Sequence, residues 1–147
     1  MEFVWVCRET ASFEWFQTLL SSLEAQSAQA ASYHGSPEFL RIHIYLTAKL
    51  DADSAANVYL NSVGTDLDPL TELKTRTNFG RPDFKRLFGA MADGLSDATY
   101  LSGLEKHSKT RVGIYYCGPG SAAREIKSAA SVSSTKLVEF KFWKEHF

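Results

Sequence analysis

Cysteine is scarce in this chain of 147 residues. Cys7 and Cys117 are the only two, too few for a disulfide framework and without the spacing of a metal site. His34, His43, His107 and His146 are scattered and form no paired-ligand pattern. Neither sign of charge dominates: sixteen basic and seventeen acidic residues leave a formal charge of -1. That balance offers no electrostatic reason to expect nucleic acid or an anionic membrane as partner. No apolar run approaches the roughly 20 residues needed to span a bilayer. The opening "MEFVWVCRET" has no basic region before its apolar run, which makes it a poor signal peptide. A reduced, cytosolic setting is the default expectation. Gly-rich phosphate loops of the GxGxxG or P-loop type are missing, as are a GxSxG elbow and a paired-carboxylate cleft. Nothing in the pattern therefore assigns acid–base or nucleophilic chemistry.

What is present is the material of a core. Apolar residues make up 44% and aromatics 13% of the chain, values of a packed globular protein. The length suits one domain with a real core, and no repeat or internal linker divides residues 1–147.

Strands and helices alternate along the chain. Phe3–Cys7 is a short, continuous apolar run of the kind buried on both faces of a sheet. Thr10 is placed to cap a helix carrying Phe13, Phe16, Leu20 and Leu23, and that helix should reach about Ala31 before "HGSP" stops it. From Phe39 to Thr47, Leu40, Ile42, Ile44 and Leu46 alternate with Arg41, His43 and Tyr45, the period of a half-exposed strand. Asp51–Leu60 is a weaker helix, Asn61–Leu70 a loop, and Glu72–Phe79 extended. Gly80-Arg81-Pro82 opens a helix with the stripe Phe84, Leu87, Phe88 and Met91, which Gly94 should end. The polar stretch Leu95–Thr110 is suited to a variable insertion. Val112–Cys117 is a second continuous apolar strand, Pro119 starts a helix with Ala122, Ala123, Ile126, Ala129 and Ala130, and Leu137–Trp143 alternates again. This order predicts an α/β fold with an open, mostly parallel, three-layer sheet, its two continuous strands central and its alternating strands toward the edges.

In such sheets ligands bind at the carboxyl ends of the strands. Cys117 and Gly118 lie at such an end, directly before a helix N-terminus whose N–H groups attract phosphates and amide carbonyls. Gly118 and Gly120, without Cβ atoms, would let a flat ligand approach the backbone. A tight turn after a small buried cysteine fits the same letters. Arg8 follows the first strand, and Arg81 sits between Gly80 and Pro82 at a helix start. A planar, permanently charged guanidinium suits phosphate, although an ion pair from Arg8 to Glu14, or simple exposure, explains either arginine alone.

Together "FVWVCRETASFEWF", "IHIYLT", "TRTNFGRPDF", "VGIYYCGPG" and the terminal "FKFWKEHF" resemble, in order and from residue 3 to residue 147, the NADPH-binding domain of the superoxide-generating NADPH oxidases, within the wider ferric reductase group. The resemblance implies a domain of the ferredoxin-reductase NADP-binding type, here a partial one lacking its first strand and Gly-rich turn. It implies that Cys117, Gly118 and Pro119, with Gly120 behind them, line the nicotinamide site. It implies that Arg8 and Arg81 hold the 2′-phosphate and that Phe147 covers the flavin ring. His146 stands where asparagine is more usual. The cofactors implied are NADPH, FAD bound mainly by an upstream domain of the same parent chain, and haem in a transmembrane part, with no metal site in this chain. Cytosolic regulators are possible partners, and the domain would lie on the cytosolic face of a membrane. A non-catalytic α/β module binding a nucleotide or a partner, or the equivalent domain of a ferric reductase, is the alternative.

Overall fold

The computed structural model describes residues 1–9, 11–35, 37–48, 58, 60, 63–96 and 109–145. The chain divides into two compact units, Met1–Pro82 and Asp83–Phe147. The expected Thr10 cap, most of the Asp51–Leu60 helix and most of the Leu95–Thr110 insertion lie outside the described residues.

The first unit holds strands β1 (Glu2–Cys7), β2 (Arg41–Leu46) and β3 (Thr77–Phe79) and helix α1 (Ala11–His34). All pairings are parallel, in the order β1-β2-β3, with Cys7 opposite Leu46 and Leu46 opposite Phe79. The alternation of β2 is carried out as read: Ile42, Ile44 and Leu46 are buried while Arg41, His43 and Tyr45 are half-buried. The buried set meets Phe13 and Leu20 of α1, with Phe3, Trp5, Phe16 and Leu23 closing around it. A continuous aliphatic–aromatic interface of this kind supplies most of a helix's stability, since isolated helices are marginal in water.

Three expectations need correction here. The helix runs past Ala31 to His34, ending at Gly35, whose φ of +59° is the left-handed conformation that terminates helices. β2, not β1, is central in its sheet, and β1 lies at the edge. β1 is also not buried on both faces, since Val6 is 47% exposed, and an apolar run does not encode how many ladder neighbours a strand has. On the far face of the β1–β2 pair, His43 Nε2 lies 2.6 Å from Glu2 Oε2 and Arg41 Nη1 3.8 Å from Glu2 Oε1, on the same side as Val4 and the exposed Val6. Finally, only Thr77–Phe79 of the Glu72–Phe79 stretch is strand. Before it, Glu24 accepts the N–H groups of Lys74 and Thr75 and the Thr75 hydroxyl. Those groups are then unavailable to a ladder.

The second unit holds α2 (Phe84–Ser96), β4 (Thr110–Tyr116), α3 (Gly120–Ser133) and β5 (Val138–Lys144). β4 and β5 are parallel and in register from Thr110–Val138 to Tyr116–Lys144. Phe88, Met91 and Ala92 of α2 pack with Ile126, Ala129 and Ala130 of α3 against Val138 and Phe140, and Val112, Ile114, Tyr116 and Phe142 extend the same face. The other face carries the Tyr115 and Trp143 rings, stacked at 5.2 Å and 13°. α2 begins after Pro82, with Asp83 accepting the Arg86 N–H at 3.0 Å in the manner of an N-cap. It runs through Gly94 instead of ending there, because one glycine costs a helix only about 1 kcal/mol and the Phe88–Met91–Ala92 face is already packed. Mixed α/β order with short parallel sheets is thus the observed architecture, as the alternation of elements predicts.

Candidate functional site

Arg8 and Arg81 follow the carboxyl ends of β1 and β3, on either side of β2. The ladder extends one step beyond the strands: Thr47 N–H and hydroxyl both donate to the Cys7 carbonyl, and Gly80 N–H donates to the Leu46 carbonyl. These bonds square off the end of the sheet, so Arg8 and Gly80-Arg81 emerge about two strand spacings apart, near 10 Å. Gly80 has φ +98°, a conformation that turns the chain sharply and that side-chain-bearing residues avoid. Both arginines are exposed. Among the described residues neither has a hydrogen-bond or ion-pair partner, and the alternative pair from Arg8 to Glu14 is not formed. Two unpaired guanidiniums on one sheet edge form a donor set suited to a dianionic phosphate.

The position of that edge depends on a residue that the sequence reading passed over. Asp68, buried, accepts from Leu70 N–H, Thr71 N–H and hydroxyl, and Thr77 N–H and hydroxyl, at 2.8–3.1 Å. Arg76 adds donation to the carbonyls of Thr65 and Leu67. This knot delivers the chain to β3 and hence to Arg81. The signal available in sequence was Asp68-Pro-Leu-Thr71, an acceptor three residues before a hydroxyl in a turn.

In the second unit, Cys117, Gly118, Pro119 and Gly120 are all exposed, at the carboxyl end of β4. Glu145 N–H donates to the Tyr116 carbonyl at 2.8 Å, so β5 supports the strand up to the turn. Pro119 is the N-cap residue of α3 and no side chain caps the helix. The first intrahelical bond, Ala123 N–H to Pro119 carbonyl, leaves the N–H groups of Gly120, Ser121 and Ala122 pointing out of the helix end. A Cβ at Gly118 would lie 2.6 Å from the Tyr116 hydroxyl, and its φ is +149°. Only glycine fits there.

Burial holds the Tyr116 phenol above its usual range, with neighbouring Cys117 adding to the effect. Both cysteines are free thiols, Cys7 buried and Cys117 exposed. Among the described residues no group of His, Cys, Asp or Glu could hold a metal, and no helix is long and apolar enough to cross a membrane. Phe147 and His146 lie outside the described residues.

The sequence-predicted residues thus fall into two sets. Arg8 and Arg81 share the carboxyl edge of one sheet, and Cys117, Gly118, Pro119 and Gly120 form the carboxyl-end turn of the other. Short parallel sheets alternating with helices are the α/β architecture of the ferredoxin-reductase kind of NAD(P)-binding fold. Comparison with known proteins narrows the class. The profile of the ferric reductase NAD binding domain matches residues 1–131, and the chain belongs to that family. It is similar to NADPH oxidase 1 of Rattus norvegicus (34% identity over 148 residues, 99% of this chain and 23% of the relative). NADPH oxidase 3 of the same organism is 32% identical over 148 residues, covering 99% of this chain and 23% of the relative. NADPH oxidase 5 of Homo sapiens is 30% identical over 154 residues, covering 100% of this chain and 17% of the relative. The chain spans about a quarter or less of the length of these curated relatives.

Proposed function

We propose that residues 1–147 form a single, partial NADPH-binding domain and serve as the docking part of a transmembrane NADPH oxidase, on the cytosolic face of its membrane. The observation that carries this reading is the pair Arg8 and Arg81, exposed on one carboxyl-end sheet edge and without a partner among the described residues. Two exposed cations with no counter-ion among the described residues suit a 2′-phosphate, a group that NADH lacks.

The chain's own residues would then divide the work. Arg8 and Arg81 bind and orient the nucleotide through its 2′-phosphate. Cys117, Gly118 and Pro119 line the place of the nicotinamide, with Gly118 leaving room for a flat ring and Gly120 opening the helix whose N–H groups can take the carboxamide oxygen. Phe147 covers the flavin ring until the nicotinamide displaces it. When bound, the nucleotide would supply hydride to an FAD held mainly by an upstream domain of the parent chain, and a haem-bearing transmembrane part of that parent would supply the electron path to oxygen, giving superoxide or peroxide. Placement is the domain's contribution, and placement within a near-attack geometry accounts for several orders of magnitude in rate. Cytosolic regulators would act on the parent.

The test is nucleotide discrimination in the intact oxidase. Arg81→Ala should weaken NADPH by roughly tenfold or more, the worth of a charge-assisted contact, and leave NADH nearly unchanged. Equal losses for both nucleotides would remove Arg81 from the 2′-phosphate site.

A further inference from the structure

We propose that Tyr116 is a positioning residue for the Cys117–Gly120 turn, acting through a hydroxyl clasp on the turn's far end; this rests on the nicotinamide-docking reading above. Tyr116 is the last residue of β4. Its ring is anchored from below, packed on the cluster under α2 and α3 with its centroid 6.2 Å from that of Phe142. Its hydroxyl reaches across three residues and donates to the Pro119 carbonyl at 3.1 Å. That carbonyl also accepts the Ala123 N–H at 3.2 Å, so one oxygen joins the strand's final side chain to the first bond of the helix. Both lone pairs of the oxygen are thereby used.

The geometry of Gly118 makes the clasp specific. The phenol occupies the space beside the Gly118 α-carbon, 2.6 Å from where a Cβ would stand. Hydroxyl and glycine are therefore a matched pair: the glycine admits the phenol, and the phenol closes the turn. A chain at φ +149° with no side chain of its own has many alternatives, and the Tyr116–Pro119 bond removes them. With no side chain capping α3, this bond is the side-chain tether at the helix entrance. Burial and Cys117 keep the phenol protonated well beyond neutral pH, so the hydroxyl remains a donor throughout the working range.

Tyr116→Phe deletes the hydroxyl and keeps the ring. In this chain, amides of residues 117–123 should exchange with solvent roughly fivefold faster, the worth of one ordinary hydrogen bond, while those of β5 are unchanged. In the intact oxidase, the single-turnover rate of flavin reduction by NADPH, per folded flavoprotein, should fall about fivefold with KM for NADPH unchanged. Cys117→Ala is run beside it. Loss of rate in Cys117→Ala and none in Tyr116→Phe overturns the clasp and leaves the docking reading standing. No loss in either overturns both. Loss in Tyr116→Phe, with or without loss in Cys117→Ala, supports the clasp. A merely structural tyrosine would lower the yield of folded protein and speed exchange in β5 as well, without altering the rate per flavin, and that result also overturns it.

Discussion

Asp68 holds Thr77 with both carboxylate oxygens: Oδ2 accepts the Thr77 N–H at 2.8 Å and Oδ1 accepts its hydroxyl at 2.9 Å. Three further donors from Leu70 and Thr71 converge on the same Oδ1. Removing the carboxylate leaves several of these donors buried and unbonded, at about 1–3 kcal/mol each. Asp68→Ala should therefore destabilise the chain by about 3 kcal/mol or more, read as a lower urea midpoint, and Asp68→Asn, which keeps one accepting oxygen, should lose less. In the intact oxidase the same change should reduce the preference for NADPH over NADH, because the knot sets the strand from which Arg81 projects. A preference unchanged in folded Asp68→Ala would uncouple the two.

The alkaline limb of stability should report Cys7. Burial pushes its thiol above the ordinary range. A raised value in the folded state means that the folded chain keeps a proton that the unfolded chain releases. The associated stability is fully present below the unfolded thiol value, about 8.5, and is lost as pH rises through the folded value. Cys7→Ala should flatten the decline above about pH 8.5, measured by denaturant titration at several pH values. Thiol reagents should modify Cys117 in the native protein and reach Cys7 only on unfolding.

Among the described residues β1 has a ladder partner on one side only within its sheet, and its Val6 is 47% exposed. An apolar strand with an open edge is a template for pairing between chains. The purified chain should therefore self-associate with rising concentration, and Val6→Lys should suppress this through edge charge. Light scattering of both proteins at matched concentrations decides the matter. Equal association would place the contact elsewhere.

On its own, with FAD added, the chain should not oxidise NADPH at a useful rate. Its sequence contains no Gly-rich phosphate loop, and it spans a quarter or less of the curated relatives it matches. Turnover of about 1 per second or more, ordinary for an enzyme, would show that the 147 residues suffice.

Local chemistry was legible in the letters. The alternation of Leu40, Ile42, Ile44 and Leu46 wrote the half-exposed strand β2, because side-chain direction repeats every two residues. The stripe Phe84, Leu87, Phe88 and Met91 wrote the buried face of α2 for the equivalent reason at helical period. Cys117-Gly-Pro-Gly marked the end of β4 and the start of α3, and the placement of Arg8 and Arg81 after strands could be read from their neighbours. Short-range sterics and periodicity decide all of these, and they depend on residues a few positions apart.

Tertiary structure alone decided the rest. That β1 lies at an edge while β2 is central depends on which backbones meet, and an apolar run does not state how many ladder neighbours a strand has. Glu24 reaches Thr75 across 51 positions and Asp68 reaches Thr77 across nine. No period in the sequence encodes those partners, yet they shorten β3 to three residues and aim Arg81. The Tyr116 hydroxyl on Pro119 is close in sequence, but its reach was set by a ring seated against Phe142 of the neighbouring strand. Sequence determined the elements and the chemistry at their ends. Contacts between distant residues determined where those ends stand, because a hydrogen bond or a packed ring acts only once the chain has brought its partner within reach.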